Sequence, residues 1–151
     1  MPIAHHDFTL SRTYPYTPEQ VFAAFADPEK KKLWFGANEH LSSSFGTFDF
    51  RAGGTESAES DHPGGIHTTF DADYVEIVPA RRIVFTYRMT LNGAPLSASA
   101  TSITMEPVEG GTLLSHTEHG IYLDGEQGAS SREGGTQQLL ELLGSALDKI
   151  G

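Results

Sequence analysis

The chain contains no cysteine. That excludes disulfides, thiol nucleophiles, Cys-x-x-Cys redox chemistry and cysteine-ligated zinc. Basic residues are scarce: ten Lys and Arg stand against twenty Asp and Glu, a formal net charge of −10. Such a surface repels phosphate, so neither nucleic acid nor an anionic membrane is an expected partner. No apolar run approaches the roughly 18 residues that a membrane-crossing helix needs. The start, Met1-Pro2-Ile3-Ala4-His5-His6, has no basic stretch followed by an apolar one, so no secretory signal is visible and a cytoplasmic location is expected. Nucleophile and nucleotide motifs are missing too. There is no Gly-x-Ser-x-Gly elbow, no Walker loop and no Gly-x-Gly-x-x-Gly after a strand. Serine hydrolase, nucleotide hydrolase and dinucleotide oxidoreductase chemistries therefore have no support, and no cofactor is implied.

What is present is a globular composition. The 151 residues are 38% apolar and 10% aromatic, with nine Phe, five Tyr and one Trp. That length reads as one domain spanning 1–151. A domain of this size hides roughly 70% of the surface of its unfolded chain, enough for a core and a cavity without staples.

Asp7 to Tyr14 alternates, with Phe8, Leu10 and Arg12 on one side and Thr9, Ser11 and Thr13 on the other. The pattern predicts a strand. Thr17-Pro18-Glu19-Gln20 then supplies an N-cap, a proline for the first helical position and a glutamine that completes a capping box. Asp27-Pro28-Glu29 opens a second short helix through Lys30-Lys31-Lys32 to Trp34, which Gly36 can end. From Leu41 to Ile121 the texture becomes β-rich. Phe45 to Arg51 alternates and stops at a bend around Gly53-Gly54. His62-Pro63-Gly64-Gly65 is a turn. Thr68 to Val78 alternates, with Phe70, Ala72 and Tyr74 opposite Asp71 and Asp73. Ile83 to Met89 is the clearest strand. Asn92-Gly93 is a hairpin signal, and Ser97 to Met105 and Thr112 to Tyr122 flank Gly110-Gly111. Strands this closely spaced predict an antiparallel meander.

Ser130-Ser131-Arg132-Glu133 offers a capping box, and Leu139, Leu140, Leu142, Leu143, Ala146, Leu147 and Ile150 then form a broad helical stripe. Gly134-Gly135 sits in the first turns, where each Gly costs about 1 kcal/mol relative to Ala, so the pair suggests close packing or a hinge. A leucine stripe needs an apolar surface to cover, and the concave face of a bent sheet is the large one available. The expected class is thus α+β: a curved antiparallel sheet wrapped around a long C-terminal helix, with two short helices after the first strand. Aromatic side chains would line a hollow where the helix and sheet diverge.

Several segments together resemble a known family. Thr17-Pro18-Glu19-Gln20-Val21-Phe22, Asp27-Pro28-Glu29 and Trp34 look like the opening of the SRPBCC superfamily, the group of START domains and polyketide cyclases. Asp49-Phe50-Arg51-Ala52-Gly53-Gly54 resembles the D-x-R-x-G-G element of its branch named after the activator of the heat-shock chaperone ATPase. Glu76 to Tyr87 resembles that branch's E-x-x-P-x-R-R-L-V-x-T-W element, and Gly111-Thr112-Leu113-Leu114 and Glu133-Gly134 fit its last strand and final helix. The resemblance covers nearly the whole chain. It implies a helix-grip fold whose members mostly hold apolar or aromatic small molecules between helix and sheet, among them lipid carriers, cyclases, hormone receptors and chaperone activators. Two departures stand out. Many relatives carry Trp where this chain has Gly135, and the usual L-T-L-T-H of the last strand is Leu114-Ser115-His116-Thr117-Glu118 here.

If Leu114 faces inward, so do His116 and Glu118. An imidazole and a carboxylate on one strand face could orient a ligand or act as acid and base, and they are the two catalytic candidates. The plain alternative is a satisfied hydrogen-bonded pair, or a register in which both face water. His116 and His119 point to opposite faces of a strand and make no metal site. His62 and His67 beside a Gly-rich turn are expected in solvent, as are Asp71 with Asp73 and the Lys30-Lys31-Lys32 run. Trp34, Phe50, Tyr74, Phe85, Tyr87 and Met89 are the apolar lining candidates, with a filled core as their alternative.

Three functions follow in order. The first is binding of a small apolar or aromatic ligand between sheet and helix, with Trp34, Phe50, Tyr74, Phe85, Tyr87, Met89, His116 and Glu118 as ligand-binding residues. The second is a cyclase or hydratase in the same hollow. The third is a co-chaperone that stimulates a chaperone ATPase, disfavoured because no additional domain to grip such a partner is visible. A homodimer is left open.

Overall fold

The computed structural model describes residues 2–36 and 42–150; Leu41, where the β-rich stretch begins in the sequence reading, lies outside them. The element order is β1 (Ala4–Tyr14), α1 (Pro18–Ala26), α2 (Pro28–Lys31), β2 (Ser42–Phe48), β3 (Thr55–His62), β4 (Ile66–Val78), β5 (Arg82–Leu91), β6 (Ala94–Val108), β7 (Gly111–Tyr122) and α3 (Glu126–Ile150). The seven strands form one antiparallel sheet in the order β1-β7-β6-β5-β4-β3-β2. From β2 to β7 each strand pairs with its successor, as closely spaced turn signals dictate. Only β1 travels far, closing on β7 so that Leu10 lies opposite His116 and Phe8 opposite Glu118.

Local chemistry sets most boundaries. The Thr17 hydroxyl accepts from the Gln20 amide, and the Gln20 side chain accepts in return from the Thr17 amide. Asp27 then caps α2 through the Glu29 amide. Gly36, at φ +74°, takes the left-handed conformation after the last turn. Asn92 and Gly93 both have positive φ, the type I′ pattern that matches strand twist.

Three expectations need correction. β3 is a strand that the sequence reading missed, because its inward residues are Glu56, Ala58 and Ser60 and carry no apolar alternation. β2 ends at Phe48, and Phe50 and Arg51 belong to the bend before β3. α3 begins at Glu126 rather than near Ser130, following a left-handed Gly125. Its added first turn buries Ala129 with Ala4 and Tyr122, so Ser130 and Ser131 are helix interior, not a cap.

The core joins Val21, Ala24 and Phe25 of α1 and Trp34 of the turn after α2 to Leu140, Leu143, Ala146 and Leu147 of α3. Ile83, Ile103, Met105 and Leu114 of the sheet complete it. α3 is fixed along β1 and the turn after it by four polar ties. His6 Nε2 lies 2.8 Å from Glu133 and Arg12 Nε donates to Glu141, while Tyr14 donates to the Leu140 carbonyl and Tyr16 to Asp148. The helix therefore lies over the β1–β7 side of the sheet. The concave surface of β3 and β4 is faced instead by α2 and the turn after it, through Lys31 on Glu56 and Phe35 on Phe70. No helix among the described residues is long and apolar enough to cross a membrane.

Candidate functional site

Between the sheet and α3 lies a cavity of about 530 Å³. All eight residues singled out from sequence line it: Trp34, Phe50, Tyr74 and Phe85, and also Tyr87, Met89, His116 and Glu118. The sheet explains how they converge. Glu118, Thr101, Phe85 and Tyr74 occupy one row across β7, β6, β5 and β4, and Ser99, Tyr87, Ala72 and Glu56 occupy the next across β6 to β3. Paired residues of antiparallel strands share a face, so both rows point inward. Three strand spacings of about 4.8 Å separate Glu118 from Tyr74 by roughly 14 Å.

The two ends of these rows are polar. At one, Glu118 is almost fully buried at 1% exposure. Its Oε2 accepts from the Tyr87 hydroxyl at 2.7 Å and the Tyr122 hydroxyl at 3.3 Å. Its Oε1 accepts from Thr101 at 3.2 Å and lies 3.1 Å from His116 Nε2. An ionised carboxylate only accepts, so that last bond places a proton on Nε2. Burial pushes the Glu118 carboxyl up, but the bonds from His116 and Tyr87 and the charge of Arg132 outweigh it and hold it below the usual carboxylate range. Burial raises the Tyr87 hydroxyl well above its ordinary value, with the Glu118 charge adding to the effect. Phe8 stacks flat on the far side of His116, at 6.0 Å between ring centres.

At the other end, Lys31 Nζ lies 2.6 Å from Glu56 Oε1, which also accepts from the Tyr74 hydroxyl. The ammonium sits over the rings of Phe35 at 4.8 Å and Phe48 at 5.4 Å. Burial lowers its pKa more than Glu56 raises it. The middle residue of the lysine run is thus a buried cavity group, not part of a solvated face. His62 is likewise half-buried on the cavity wall, 2.8 Å from Thr68. Asp73 and His119 are outward and exposed as expected.

The apolar middle is built from edge-to-face rings. Trp34 meets Phe25 and Phe35, and Phe50 meets Phe22 and Tyr74. The Trp34 indole N–H donates to the Ala24 carbonyl at 3.0 Å, which fixes the ring and leaves only its faces for contact. Gly135 lines the cavity on the helix side, and a Cβ added there meets nothing within 4 Å. The same holds at Gly134, so the glycine pair does not mark close packing.

Sequence reasoning missed Lys31, Glu56, Phe35, Phe70 and Arg132. For Arg132 a signal existed. Ala129, Thr136, Leu140, Leu143 and Leu147 are buried at three- and four-residue spacing, and Arg132 falls on that same stripe. Its guanidinium donates to the Tyr87 hydroxyl at 3.0 Å and the Ser97 hydroxyl at 2.8 Å.

Comparison with known proteins agrees with this geometry. The Mll3558 protein of Rhizobium loti is 41% identical over 97% of this chain and 99% of its own, with a TM-score of 0.87. A putative uncharacterized protein of Rhizobium leguminosarum is 32% identical over 98% of this chain and 97% of its own, at 0.89. The CV1439 protein of Chromobacterium violaceum is 29% identical over 93% of this chain and 96% of its own, at 0.81. No curated protein matches. The family model described as "Activator of Hsp90 ATPase homolog 1-like protein" matches residues 15–148. With the helix-grip arrangement of sheet and helix and a match over most of its length, the chain belongs to the activator of Hsp90 ATPase homolog 1-like family, an SRPBCC-type family.

Proposed function

We propose that the protein binds a small, largely apolar or aromatic molecule between the sheet and α3. The observation that carries this reading is the open, ring-walled hollow beside Gly135. Apolar burial at about 25 cal/mol per Å² gives affinity, and Tyr87, His116 and Arg132 supply orientation. The test is native mass spectrometry of the purified chain together with a thermal-shift screen of aromatic compounds. A ligand at one hundred times its Kd adds about 2.7 kcal/mol of stability, which raises the Tm of a chain this size by roughly 5–10 °C. No co-purifying mass and no stabilisation across the screen would count against the reading.

A second reading, a cyclase- or hydratase-type enzyme in the same cavity, draws support from His116 beside Glu118 on the cavity wall. His116→Ala and Glu118→Ala separate the two. An enzyme loses turnover while keeping ligand affinity, whereas a carrier changes only in binding. Chaperone stimulation enters through the family's name alone, and an ATPase assay with the host's chaperone is expected to show none.

A further inference from the structure

The two polar ends of the cavity differ in what they leave unused. Glu118 has its lone pairs occupied by Tyr87, Tyr122, Thr101 and His116. It has little capacity left for a ligand donor. Arg132 is the opposite case. A guanidinium carries five N–H donors, and the Tyr87 and Ser97 hydroxyls receive one from each of its two terminal nitrogens. Both acceptors are neutral; no carboxylate among the described residues bonds Arg132 directly, and its charge reaches Glu118 only across the Tyr87 hydroxyl. Asp124, the other carboxylate at this end, has its Oδ1 buried beside Gly128 and without a hydrogen-bond partner.

Position adds to the hydrogen-bond inventory. Arg132 is half-buried on the cavity-facing side of α3, its guanidinium over the rings of Tyr87 at 5.5 Å and Tyr122 at 5.2 Å. These contacts hold its plane before any ligand arrives, which reduces the ordering cost of binding. Of its neighbours along the wall, Ser131 and Gly135 are small and a Cβ at Gly135 would meet nothing within 4 Å, whereas the Asp124 carboxylate packs against Gly128. This end of the cavity therefore presents spare guanidinium donors against an aromatic body, while the Glu118 charge beside them is already met by four donors of its own.

We infer that the cavity selects an aromatic or apolar molecule bearing an anionic acceptor group of the carboxylate or sulfonate class, seated on Arg132. The inference rests on the cavity-binding reading and names the ligand chemistry. The acidic surface makes it discriminating, because a net charge of −10 disfavours non-specific anion binding to the chain as a whole.

Two fluorescent probes with the same aromatic body test it: anilinonaphthalene sulfonate and its neutral twin N-phenylnaphthylamine, titrated into the full chain. The sulfonate should bind more tightly. Arg132→Gln should weaken the sulfonate about tenfold or more and the neutral probe by less than about twofold. Arg132→Lys keeps the charge without the planar fork and should fall between. It decides the matter by the ratio of the two affinities if Arg132→Gln does not fold. A ratio that neither substitution changes, or neutral-probe binding without sulfonate binding, overturns the inference and leaves the cavity reading standing. Binding of neither probe overturns both. A sulfonate signal that survives Gly135→Trp arises outside the cavity and also counts against the assignment.

Discussion

Two carboxylates that composition alone would assign to the surface, Glu56 and Glu118, are among the most buried polar groups. Each is tolerated because donors surround it. Glu118→Ala leaves the Tyr87, Tyr122, Thr101 and His116 donors without their common acceptor and should cost about 3 kcal/mol, read as a lower urea midpoint at unchanged m-value. The same carboxylate makes stability pH-dependent. Its native pKa lies below the ordinary 4.5, so between those values the unfolded chain binds more protons and stability rises with pH. The contribution is complete above about pH 4.5 and is lost as pH falls through the native value. Unfolding midpoints measured down the acid limb should therefore fall less steeply in Glu118→Gln than in the wild type. Lys31 and Glu56 form a second test. Lys31→Met strands a buried carboxylate and should cost about 3 kcal/mol, while Lys31→Met with Glu56→Gln recovers much of the loss. Independent, additive costs would show that the pair is not coupled.

At the scale of elements, α1 and α3 are specified differently. The α1 boundary is a local matter, held by the Thr17–Gln20 capping box, and Thr17→Ala should lower stability by about 1 kcal/mol. α3 carries two glycines in its interior whose Cβ positions are empty. Gly134, which does not line the cavity, should accept alanine with a gain of about 0.5–1 kcal/mol, seen as a higher thermal midpoint with ligand binding unchanged. A loss instead would mean that the chain needs the hinge that the sequence suggests there. Much of this level was legible beforehand. The capping box, the Asn92-Gly93 turn, the bend at Gly53-Gly54 and the leucine stripe each state their structure within a few residues. β3 was not legible, because a strand whose inward face holds Glu56, Ala58 and Ser60 has no hydrophobic period to read. The early start of α3 was hidden for a related reason: Ala129 is buried only because Ala4 and Tyr122 arrive beside it.

At the scale of the whole molecule, the off-centre seat of α3 over β1 and β7 keeps the cavity open. The polar ties from His6, Arg12, Tyr14 and Tyr16 hold the helix there, and the aromatic surface of β4 and β5 faces a helix segment that has no side chain at Gly135. Gly135→Trp tests that account directly. The indole has room to enter the cavity, so the variant should fold, lose affinity for aromatic ligands by at least tenfold, and show no co-purifying mass by native mass spectrometry. Retained affinity would place the ligand elsewhere.

The sequence by itself determined the order of elements apart from β3, the family and the inward face of the last strand, since periodicity and turn chemistry are carried by neighbours in the chain. From Leu114 alone it followed that His116 and Glu118 share its side. Only the tertiary structure decided what those residues meet. Lys31 finds Glu56, and Arg132 finds Tyr87 and Ser97, across separations that no local period encodes. The closure of β1 on β7 and the register of six strand pairs set those meetings. A charge in a lysine run or a helix cap motif looks solvated until the fold encloses it, because burial is a property of the assembled surfaces rather than of any segment.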